Sequence, residues 1–140
     1  MEHAIDNIDT LERFEELFSA EFLDDDTQLS DYLTELIRKY DTDCYSLSKR
    51  AGFASLSYAG NVLRGVRQPT RNSILAICIG LGATVEETQH LLKYSGHAPL
   101  YVRNRRDVII WFAIRKGLKI HDLNTKLVER GYKPLSGGKA

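Results

Sequence analysis

Residues 47–92 read LSKRAGFASLSYAGNVLRGVRQPTRNSILAICIGLGATVEETQHLL, and the order of helix starts and stops in this stretch decides the fold. Asp43 precedes it as an N-cap for a short helix through Leu47 to Ala51, with Gly52 supplying the left-handed residue that ends it. A second helix is expected from near Ser55 to Gly65. Pro69 and Thr70 then open an apolar helix that runs to Leu81 and stops at Gly82. Thr84, with Glu87 three residues on, forms a capping box for a helix over 85–94 that Gly96 stops.

The chain on either side has the same character. Upstream, residues 28–40 repeat Leu29, Tyr32, Leu33, Leu36, Ile37 and Tyr40 as a one-sided stripe that must pack on something. Further upstream, residues 10–23 carry Leu11, Phe14, Leu17, Phe18 and Phe22 at helical spacing, with Glu12, Glu15, Glu16 and Glu21 mostly elsewhere and Asp9 as N-cap. Downstream, helices are expected over 105–116 and 121–130, ended by Gly117 and Gly131. All three prolines fall at breaks and no segment sustains period-two alternation, so the fold class is all-α. Residues 108–114 (VIIWFAI) are apolar all round and predict a central buried helix or a subunit contact. The tail SGGKA, residues 136–140, is expected to be disordered.

An internal echo appears at an offset of 35 residues. Ile74, Ile79, Gly82, Leu92, Gly96, Pro99 and Leu100 recur as Ile109, Ile114, Gly117, Leu127, Gly131, Pro134 and Leu135. Average residue usage would give about two identities over that span. Each copy reads as one helical hairpin with a Gly-x-x-Pro-Leu exit, made twice by duplication or by convergence on the same caps.

The 140-residue chain balances 19 basic against 19 acidic side chains, and at face value a net charge of zero argues against a nucleic-acid partner. Resolved along the chain, residues 1–43 hold fourteen acids and three bases, a net −11, whereas residues 44–140 hold sixteen bases and five acids, a net +11. No acid lies between Asp43 and Glu86. Such a split suits a polyanion partner for the basic part and an acidic arm in the other. The longest apolar run is seven residues, too short to span a bilayer, and no secretory signal opens the chain, so cytoplasm and no membrane association are expected. Cys44 and Cys78 form no CxxC, and His3, His90, His97 and His121 have no metal-ligand spacing; His90 is expected to be a half-buried core residue. Without a phosphate loop, nucleophile elbow or HExxH, no enzyme activity, metal or cofactor is expected.

From Asp43 to Leu81 the order of short helix, Gly-containing turn, second helix ending in Arg-Gly, basic loop and apolar helix is the layout of a helix-turn-helix. That unit needs a small residue where its helices cross, here Ser48 or Ala51, a corner glycine (Gly52) and an apolar plug after it (Phe53). The outer face of the second helix is then free to enter a major groove about 12 Å wide. With Val62 and Leu63 turned inward, Ser57, Tyr58, Asn61 and Arg64 face outward. Asn61 suits a bidentate contact to adenine, Ser57 and Tyr58 suit phosphate or base edges, and Arg64, Arg67 and Arg71 suit the backbone, with Lys49 and Arg50 as further phosphate contacts. The cluster Arg103, Asn104, Arg105, Arg106 opens the apolar helix against its dipole and suits an anion or the acidic arm.

The residues Leu47, Ser48, Gly52, Ser55, Gly65, Pro69, Thr70 and Ile74 match the signature of the lambda-repressor-like, XRE-family helix-turn-helix domains, which the chain resembles over about residues 29–96. It differs in a turn one residue longer (Phe53, Ala54, Ser55), in Cys44 where the family often has Gln, and in Gly60 within the recognition helix. The resemblance implies a five-helix domain over 29–100; the charge split and the repeat place an acidic arm over 1–28 before it and a helical hairpin over 101–135 after it. It implies a bacterial transcriptional regulator that binds double-stranded DNA, as a homodimer, through Ser55, Ser57, Tyr58, Asn61, Arg64, Arg67, Arg71 and Lys49. The alternative is an antitoxin-like or adaptor module in which the same fold binds a protein partner, through the acidic N-terminal helix or the C-terminal hairpin, and DNA binding is weak or masked.

Overall fold

The computed structural model describes residues 26–136. Among them the chain is all-helical, with no strand: α1 (Asp26–Lys39), α2 (Cys44–Arg50), α3 (Tyr58–Leu63), α4 (Arg71–Leu81), α5 (Val85–Tyr94), α6 (Arg105–Lys116) and α7 (Ile120–Glu129). The helix expected over 10–23, its cap Asp9 and residues 137–140 lie outside the described residues.

Local caps set most helix starts. Asp43 accepts from the Ser46 amide at 2.8 Å, Thr70 from the Ser73 amide at 3.1 Å, and Thr84 and Glu87 close the reciprocal box at 3.1 and 3.0 Å. Asn104 caps α6 by accepting from the Asp107 amide at 2.9 Å. α4 is the centre: Ile74 through Ile79 are all buried, and α2, α5, α6 and α7 pack around it. The α1 stripe closes the opposite side of α5, with Leu33 and Leu36 buried. Core residues of the last two helices, including Ile110, Ala113, Leu123 and Leu127, belong to the same buried cluster.

The 35-residue echo is a repeated structure. α5 and α7 start and end in register, and Gly82 and Gly117 both end their helices in the left-handed conformation. Gln89 clasps Leu100 by accepting its amide at 2.8 Å and donating to its carbonyl at 3.2 Å. Its counterpart Asn124 accepts from the Leu135 amide at 2.8 Å and donates to the Ser136 carbonyl at 2.9 Å. Arg71 donates to the Ala98 carbonyl at 2.9 Å, and Arg106, 35 residues on, to that of Lys133 at 3.1 Å. An amide in the second helix and a guanidinium at the start of the first thus bind each Pro-Leu exit back onto its hairpin.

Three expectations are corrected. Of the two readings of residues 108–114, a central buried helix or a subunit contact, the first does not hold: Ile110, Ala113 and Ile114 are inside, whereas Val108 and Phe112 are 45% and 47% exposed, because only one side of α6 has neighbours among the described residues. His90 is exposed and lies at the edge of the Tyr32 ring rather than in the core. Ser136, assigned to the disordered tail, is held by Asn124 and donates its hydroxyl to the Ala51 carbonyl, which ties the chain's end to the corner after α2. No helix among the described residues is long and apolar enough to cross a membrane.

Candidate nucleic-acid interface

α2 and α3 meet through small residues. Ser48 on α2 and Ala51 at its C-cap are fully buried, and Ala59 and Gly60 are buried on α3. A Cβ at Gly60 would lie 3.8 Å from the Cys44 Cβ and 3.2 Å from an Arg64 guanidinium nitrogen. A methyl there would make ordinary contact with Cys44 and displace only the tip of the exposed Arg64, so packing against α2 does not offset the helix-propensity cost of glycine, about 1 kcal/mol.

α3 begins three residues later than Ser55. The Ser55 hydroxyl is engaged with the Ser57 hydroxyl at 3.0 Å and the Ser57 amide at 3.3 Å, so this stretch closes as a turn instead of a helical first turn. Ser57 stands at the N-cap without a capping side-chain bond. The missing acceptor comes from across the corner: the buried Ser48 hydroxyl accepts the Ala59 amide at 3.0 Å. A side chain of α2 therefore does what an N-cap residue does within its own helix.

Beyond α3, the loop folds back, with the Val66 and Arg67 amides both donating to the Asn61 carbonyl at 2.9 and 3.2 Å. The Arg67 guanidinium lies 5.6 Å from the centre of the Tyr58 ring, and Phe53 packs on that ring at 4.5 Å. Arg64 donates to the Asn61 side-chain oxygen at 2.6 Å. Tyr58, Asn61, Arg64 and Arg67 are thereby gathered at one edge, with Ser55 and Ser57 exposed at the head of α3. Val62 is buried and Leu63 half-buried, as expected for the inward side. Tyr58 and Asn61 are half-buried rather than freely projecting. Lys49 and Arg50 are exposed in the last turn of α2.

Arg71 is not brought to this edge. It reaches away to α6, in a bidentate ion pair with the buried Asp107 at 2.9 and 3.1 Å, and also holds the Ala98 and Pro99 carbonyls. A partner 36 residues away carries no local sequence signal, and neither does the Ser48 cap.

The exposed cations of residues 44–70 are Lys49, Arg50, Arg64 and Arg67, and the segment holds no acid. The nearest upstream acid, Asp43, is committed to α2: the Ser46 amide holds its carboxyl below the usual range. Burial pushes the Cys44 thiol up, against the opposing pull of the Arg64 charge, so it is a protonated packing residue at neutral pH. Among the described residues, no group of three His, Cys, Asp or Glu side chains could hold a metal ion. The arrangement offers hydrogen-bond donors, an amide and fixed positive charge to an anionic, hydrogen-bonding surface. No family model matches the chain, and neither a curated protein nor a solved structure matches it.

Proposed function

We propose that the chain is a DNA-binding transcriptional regulator built on a lambda-repressor-like, XRE-type helix-turn-helix, with α2 as the first helix of the motif and α3 as the one that enters the major groove. One observation carries this: Asn61 of the short helix α3, with Arg64 and Arg67 in the turn after it, gathered at one edge within a segment, residues 44–70, that holds no acid, while Ser48 and Val62 buttress α3 from behind. Arg64, Arg67 and Lys49 supply phosphate contacts, which position the protein, and Asn61 with Ser57 reads base edges. A single module of this size covers little DNA, so the regulator works as a homodimer on two half-sites.

The test is fluorescence anisotropy of the full chain on DNA from upstream of its own gene, at two salt concentrations. Specific binding gives a negative slope of log affinity on log salt. Arg67→Ala lowers that slope by about 1, and Asn61→Ala relaxes sequence preference. Absence of preference for any DNA at about 0.1 M salt removes the regulator reading.

A second reading, an antitoxin-like or adaptor module with weak DNA binding, is favoured by the 2.6 Å Arg64–Asn61 bond, which occupies the side chain best suited to an adenine. It predicts the same affinity for every DNA sequence and tighter binding to a protein partner.

A further inference from the structure

The repeat makes one face of α6 conspicuous. Val108, Phe112 and Arg115 correspond, 35 residues on, to Ser73, Ile77 and Gly80 of α4. On α4 that stripe is covered by α2: a Cβ at Gly80 would lie 3.1 Å from the Ala51 amide nitrogen and 3.1 Å from a Leu47 methyl, and Ile77 is fully buried. On α6 no described helix takes that place. Val102, Val108 and Phe112 are 62%, 45% and 47% exposed, and with Trp111 and Arg115 they line an open apolar hollow. Val108 and Phe112, with Trp111 between them, make this exposure contiguous along the helix instead of scattered singly.

Charge selects the occupant. Arg115 and Lys116 flank the patch at one end, with the Lys116 ammonium 6.0 Å from the centre of the Phe112 ring, and Arg103 and Arg105 are exposed at the other. The only acid of α6, Asp107, is buried under Arg71. A second copy seated α6 against α6 would set cations against cations at both ends. Arginine in place of Gly80 also rules out the close backbone approach that α2 makes on α4, and asks instead for a carboxylate.

The sequence holds a segment of that chemistry. Residues 10–23, TLERFEELFSAEFL, carry Phe14, Phe18 and Phe22 four apart with Glu12, Glu15, Glu16 and Glu21. As a helix these fourteen residues would be about 21 Å long, enough to cover the roughly 18 Å of α6. They join the described chain just before α1, whose Leu29 and Ser30 line one hollow with Leu63 and Arg67 on one side and Tyr94, Ser95 and Gly96 on the other, and from Gly96 the chain runs on to α6.

We propose that residues 10–23 of the chain dock on the Val108–Phe112 face of α6 as an acidic amphipathic helix, in the place that α2 takes on α4. The contact is remote in sequence from α3 and does not depend on DNA binding.

Trp111 is the chain's one tryptophan and lies in the patch, so its fluorescence reads the contact directly in the full-length protein. The expected result is a blue-shifted emission shielded from acrylamide. In the full-length double variant Phe14→Ser, Phe18→Ser the quenching constant rises roughly twofold or more with the helical circular dichroism retained, and the surface variant Arg115→Glu moves it the same way. The proposal is overturned if the unaltered protein is quenched as freely as these variants. It is equally overturned if shielding grows with protein concentration and survives the loss of Phe14 and Phe18, which assigns the face to a second copy.

Discussion

Arg71 and Asp107 lock the first turn of α4 to the first turn of α6, with two parallel guanidinium–carboxylate bonds of 3.1 and 2.9 Å. Asp107 is 5% exposed in its side chain and also accepts the Tyr101 amide at 3.0 Å, so its charge is fully engaged. Removing one partner of a buried pair leaves the other charge uncompensated. Because Arg71 stays about a quarter exposed and keeps two carbonyls, Asp107→Ala is expected to cost about 2–3 kcal/mol, at or just below the lower bound for fully buried pairs. Arg71→Lys loses the fork geometry and costs at least about 1 kcal/mol. Urea unfolding at neutral pH measures both. In the DNA assay Arg71→Ala, under conditions where it stays folded, leaves the salt slope unchanged, whereas Arg67→Ala lowers it by about 1, which separates this fastener from the phosphate contact proposed for Arg67.

Ser48 acts on α3 from another helix. Ser48→Ala strips the buried Ala59 amide of its acceptor, for which a cost of about 1–2 kcal/mol is expected. Since the hydroxyl is buried, any loss of DNA affinity in this variant reports the position of α3 and not a lost contact. A variant that binds DNA less well while the melting temperature is unchanged would contradict that role.

These two residues mark the limit of what the sequence disclosed. Caps are local, so Asp43, Thr70 and the Thr84–Glu87 box were legible from residues three apart, and they set the boundaries of α2, α4 and α5 closely. The repeat was legible as spacing, and its physical content is the paired clasps of Gln89 and Asn124. What the sequence did not disclose is long-range. Arg71 read as one more member of a basic run until Asp107, 36 residues away, claimed it. The sequence starts α3 near Ser55, three residues early, because its neighbours do not reveal that Ser48 supplies the acceptor. The apolar string of α6 fixes composition but not which side is covered, so Val108 and Phe112 were indistinguishable from Ile110 and Ala113.

Glu87 gives the fold an acid-sensitive joint between α1 and α5. Its carboxylate takes bonds of 2.5 Å from both the Lys39 ammonium and the Tyr40 hydroxyl, and one of 3.0 Å from the Thr84 amide. Burial pushes its pKa up, but these donors outweigh it and hold the group below the ordinary 4.5. Tyr40 itself, pushed to about 12 by burial and then by Glu87, remains a donor throughout. A carboxyl with a folded pKa below its unfolded one adds stability above the unfolded value and loses it as pH falls through the folded value. The stability gap between the native protein and Glu87→Gln is therefore widest at neutral pH and narrows below about 4.5. Denaturation curves collected from pH 7 to 3 test this, and a gap constant with pH would dispose of it.

Gly52 and Gly82 both have positive φ, 79° and 74°, yet their surroundings differ. A Cβ at Gly82 meets nothing within 4 Å, whereas one at Gly52 would come within 2.8 Å of the Ser136 hydroxyl oxygen and 3.5 Å of Ile120. Gly82→Ala should thus cost only the left-handed backbone penalty, about 1 kcal/mol. Gly52→Ala adds the displacement of Ser136 from the Ala51 carbonyl, for an expected total of about 2–3 kcal/mol. Hydrogen exchange distinguishes the two mechanisms: the Leu135 amide, held by Asn124 next to Ser136, should lose protection in Gly52→Ala and keep it in Gly82→Ala. Equal loss in both variants would mean that the chain's end is not seated on the α2–α3 corner.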